Sequence, residues 1–174
     1  MVQGGSWIAM TVVVGVGLLF SAAAATIAVV RRRERPIHPI PWWIAVIVLA
    51  IDTAIHAFIG IASTVQAPLE GAWLLMAALA IGGMLATAIL RPRLGGIALL
   101  ATAVLMPAAL VAVDALFPDE AQTLVPLPVM LVAYSTRAVV VGLLLVWAGT
   151  GGGRTAVRGL GEVPGDVADS AGAV

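Results

Sequence analysis

Five apolar runs leave this chain few ways to fold: 7–30, 42–64, 72–90, 95–116 and 127–148. Each is close to the ~20 residues a helix needs to cross about 30 Å of hydrocarbon. A transmembrane β-barrel would show segments of about ten residues alternating in polarity, whereas these runs are longer and apolar on every side. The expected fold class is an all-α integral membrane protein, a bundle of five transmembrane helices over residues 1–148. From residue 149 the chain turns rich in Gly, Ala, Asp and Val and carries no sustained apolar face, the composition of a flexible cytoplasmic tail.

Punctuation agrees with these cuts. Pro36, Pro39 and Pro41 separate the first two runs, Pro68 the next pair, and Arg91-Pro92-Arg93 the third and fourth. Pro118, Pro126 and Pro128 fall before or at the start of the last. Charged residues make up only 10% of the chain, against about 25% in soluble domains, too little polar surface to cover a globule in water.

Arginine placement sets the expected orientation. With five crossings, Arg31, Arg32, Arg33, Arg35, Arg91, Arg93, Arg154 and Arg158 all fall on one side, and the opposite loops carry Glu70, Asp119 and Glu120. Basic loops stay in the cytoplasm, so the N-terminus is expected outside and the C-terminus inside, in a cell (plasma) membrane. No basic residue precedes the first run, and an arginine cluster follows it; this reads as an uncleaved anchor rather than a signal peptide.

Composition also removes function classes. Lysine is absent, which excludes retinal or pyridoxal Schiff bases, and cysteine is absent, which excludes thiolate metal sites and dithiol chemistry. No basic tract with interleaved aromatics supports nucleic-acid binding. His38 and His56, the two histidines, lie at different depths and are not placed to clamp one haem iron. No cofactor is expected.

Charges inside a membrane span cost about 2.5–3.5 kcal/mol at the helix centre, so they mark the candidate site. Asp52 lies about ten residues into the second run and Arg137 about ten into the fifth. At 1.5 Å per residue both reach roughly the midplane, where they could form a buried ion pair. His56 follows Asp52 by one helical turn, and Tyr134 precedes Arg137 on the same face. Two polar layers are therefore expected, Asp52 with Arg137 and His56 with Tyr134, acting either as structural glue or as a relay using an imidazole that ordinarily titrates near neutrality. A metal site is disfavoured, because Arg137 would repel a cation and a tetrahedral site needs more ligands. Asp114 could line an outer vestibule. Arg31, Arg32, Arg33 and Arg35 could contact anionic lipid. Pro107 falls inside the fourth run and implies a kink. Gly82-Gly83 with Ala78 and Ala86 reads as a small-residue packing face on the third run.

No nucleophile, metalloprotease or phosphate-loop signature is present, so an enzymatic role is disfavoured. The leading expectation is a subunit or accessory of a membrane assembly, in contact with the lipid bilayer and with copies of itself or partner subunits. The alternative is a small oligomeric transporter or proton-coupled carrier built on the same polar cluster. A lipid-modifying enzyme ranks third.

Overall fold

The computed structural model describes residues 5–31, 34–116 and 127–150, side chains at 5–10, 110, 113, 114 and 127–131 excepted. Within them lie five helices: α1 (Gly5–Val30), α2 (Pro39–Ser63), α3 (Pro68–Leu90), α4 (Pro92–Leu116) and α5 (Leu127–Gly149). Each contains a stretch long and apolar enough to cross a membrane, so the chain is a multi-pass helical membrane protein. Helices α2, α3 and α4 start about a turn before the apolar windows, at Pro39, Pro68 and Pro92. Proline suits a first helical turn because its missing N–H would have no intrahelical partner there. Helix α4 runs on through Pro107.

The helices form a ring in the order α1, α3, α2, α5, α4, with α3 also touching α4 across it. The most extensive contact is α4 on α5, and the α2–α5 seam is the most lightly packed in the ring. Every helix contributes to the core, through Ala24, Leu49, Met84, Leu99 and Leu145 among others. Large side chains such as Leu19 and Phe58 point outward, 74% and 75% exposed, the surface that a bilayer covers.

Small residues set the closest contacts. A Cβ built on Gly96 of α4 would lie 2.6 Å from the carbonyl oxygen of Gly142 and 2.7 Å from the backbone nitrogen of Val146, both on α5. Two backbones thus touch, which only glycine allows. The expected small-residue face on α3 divides differently. Gly83 meets Ser21 of α1, whose hydroxyl donates to Ala80 O at 2.7 Å, while Gly82 faces Thr53 of α2. Ala86 is exposed.

One end of the bundle is stitched together by the segment between α1 and α2. The Glu34 N–H donates to Leu90 O at the end of α3 (2.9 Å), and the Ile37 and His38 N–H groups donate to Ala148 O at the end of α5 (2.8 and 3.3 Å). Trp42 Nε1–H donates to Ala88 O at 3.0 Å. These carbonyls belong to last helical turns and have no partner within their own helix. Arg91 adds a two-pronged contact to Glu34, one prong from Nε at 3.1 Å and one from Nη2. His38 is exposed and its ring lies 5.7 Å from that of Trp147.

Candidate functional site

The polar residues of α2 and α5 meet. Asp52 and His56 are separated by one helical turn, so both project from the same face of α2, toward α5. Both are buried, at 7% and 8% exposure. Arg137 Nη1 donates to Asp52 Oδ1, and this ion pair spans the seam. His56 Nε2 lies 2.6 Å from Tyr134 Oη. Both expected layers are therefore present.

The bonds also join the two layers to each other. His56 Nδ1 lies 2.9 Å from Asp52 O and 3.2 Å from Asp52 Oδ1. A carbonyl oxygen only accepts, so Nδ1 carries the proton. In the neutral ring Nε2 then accepts from the Tyr134 hydroxyl, which fixes the tautomer. On the other side, the Arg137 guanidinium lies over the Tyr134 ring, 4.6 Å from its centroid, a cation–π arrangement. The result is a closed circuit: Tyr134, His56, Asp52, Arg137 and back to Tyr134. Asp52 Oδ2 is buried with no hydrogen-bond partner among the described residues.

The circuit forms part of the wall of an open cavity of about 460 Å³ lined by all five helices. Apart from Asp52, His56, Tyr134 and Arg137, its lining is mostly apolar: Val13, Leu74, Ala77 and Ile81, with Met84 and Met106 as adaptable thioether surfaces. Thr102 and Ser135 also line it, and Glu70, near the start of α3, reaches it from the end opposite the stitched one. The cavity was not legible in the sequence, and neither was the part taken by Glu70 and Trp73, which both line its wall.

Arg31 and Arg35 are exposed at the stitched end. Arg32 and Arg33 lie outside the described residues, as do the side chain of Asp114 and the tail from 151 onward. Among the described residues no three His, Asp or Glu side chains converge as a metal-ligand set.

Chemically, the attraction between carboxylate and guanidinium offsets part of the cost of holding each charge away from water. It adds hydroxyl, imidazole, carboxylate and guanidinium groups to a wall that is otherwise mostly apolar. No family model matches the chain, and neither a curated protein nor a solved structure does.

Proposed function

We propose that the protein is a small membrane carrier that holds its cargo in the bundle cavity against Asp52, His56, Tyr134 and Arg137. The observation that carries this reading is the cavity itself. Its volume of about 460 Å³ falls within the ~300–1,000 Å³ of small-molecule sites, which are mostly apolar with a few convergent polar groups. A charge pair kept only to fix helix packing needs no chamber beside it. This favours a carrier over an accessory subunit, although the pair that fastens α2 to α5 suits that second reading too.

The test is to identify what copurifies. Wild-type protein and an Ala77→Trp variant, which fills the chamber from its apolar wall, are purified in mild detergent and extracted for mass spectrometry. The wild type is expected to release a small molecule that the variant lacks. That molecule, added to proteoliposomes, should cross faster than in empty liposomes. Identical extracts together with a stoichiometric partner protein would establish the accessory-subunit role instead.

The carrier is oriented, in this reading, with the stitched, arginine-bearing end in the cytoplasm of a cell membrane. Reporter fusions at Gly4 and Gly172 should then report opposite compartments, outside and inside. A single compartment for both would contradict five crossings.

A further inference from the structure

The cargo's chemical class can be narrowed from the electrostatics of the cavity wall; this step rests on the carrier reading above. The cluster contains one carboxylate and one guanidinium, joined through Asp52 Oδ1. Arg137 therefore opposes a cationic ligand at this place, and Asp52 opposes an anionic one; Glu70, elsewhere on the same lining, adds to the opposition toward anions. An uncharged ligand meets neither penalty. The second carboxylate oxygen, Asp52 Oδ2, is a buried acceptor without a donor among the described residues, in a side chain that is 9% exposed. An acceptor in that condition is satisfied by an O–H or N–H group. Asp52 is one of the residues that line the cavity, so its unpartnered oxygen belongs to the wall that a ligand would meet. The rest of the lining is largely hydrocarbon and thioether.

We infer that the cavity takes an uncharged lipophile bearing one hydrogen-bond donor, an alcohol or phenol, whose hydroxyl donates to Asp52 Oδ2 and whose apolar body lies along α1, α3 and α4. Membrane-soluble alcohols and phenols share this chemistry, and the headgroup alone distinguishes them from their ethers, amines and acids.

The experiment uses the full chain in a neutral detergent and four probes with one alkyl chain: dodecanol, dodecyl methyl ether, dodecylamine and dodecanoate. Binding is read by native mass spectrometry and by the rise in unfolding temperature across a concentration series. Dodecanol should bind saturably, one per protein, at least about tenfold tighter than the ether, since a hydrogen bond to a charged group carries at least that factor. The amine and the acid should bind more weakly than the alcohol. Ala77→Trp should abolish dodecanol binding while its polar circuit stays intact. Equal binding of alcohol and ether, both lost in Ala77→Trp, would overturn the donor requirement and leave the cavity as a site. Tightest binding of the amine would overturn the uncharged class. Binding that Ala77→Trp leaves unchanged would overturn both this inference and the cavity as the carrier's site.

Discussion

Arg137→Gln should cost the folded protein about 3–5 kcal/mol, the range for a buried pair that loses one partner. The loss is expected to be unequal between the two partners. Removing Arg137 strands a carboxylate whose side chain is only 9% exposed, whereas Asp52→Asn strands a guanidinium that is 34% exposed and still lies over the Tyr134 ring. Asp52→Asn should therefore destabilise less. The double variant should recover part of the Arg137→Gln loss, because no charge is then left unpaired. Unfolding in detergent, followed by circular dichroism against denaturant, measures all three. Equal losses that add in the double variant would show that the pair does not couple α2 to α5.

The second large effect is expected at the α4–α5 contact. Gly96→Ala introduces a methyl where backbone atoms of Gly142 and Val146 already stand at 2.6 and 2.7 Å. Backbone cannot turn aside as a side chain can, so the helices must separate. A cost of about 1–3 kcal/mol is expected for the alanine, as for other overpacked interiors, and Gly96→Leu should leave little folded protein. Gly15→Ala is the matched control. Its Cβ meets nothing within 4 Å, so it should be neutral or slightly stabilising, because alanine exceeds glycine in helix propensity. Yield and melting temperature of the three variants decide the matter. A melting temperature for Gly96→Ala equal to that of wild type would mean that α4 and α5 do not pack backbone to backbone.

The contrast between these two sites shows what a sequence can reveal of such a protein. Asp52 and Arg137 stand out because charge is rare in apolar runs, and their depths follow from counting along two helices. Agreement in depth was enough to expect the pair, though not to know that α2 and α5 are neighbours. Gly96 and Gly142 do not stand out, since this chain carries 19 glycines and several others within the apolar runs suit a helix contact as well. Gly82 and Gly83 looked like one face but serve two neighbours, because consecutive helical residues point about 100° apart. The cavity was illegible for a related reason. Its small wall residues, such as Gly17 and Ala77, would serve equally well in a tight interface. Only the rotation and tilt of each helix decides between contact and empty space. Glu34 was illegible as a partner of Arg91 because it sits within the arginine cluster, where any of several cations could have taken it.

The stitched end has a mechanical consequence. Main-chain bonds from residues 34–38 hold the ends of α3 and α5 beside the start of α2, so a tilt of α2 against α5 must pivot there. Helix α2 has 25 residues, about 37 Å of rigid lever at 1.5 Å per residue. Asp52 and His56 sit roughly 20–25 Å from the fulcrum on that measure. A swing of about 5° therefore displaces them by about 2 Å, enough to stretch the 2.6 Å His56–Tyr134 bond beyond hydrogen-bonding distance. The polar circuit lies near the middle of a long arm, where a small angular motion would be enough to part it.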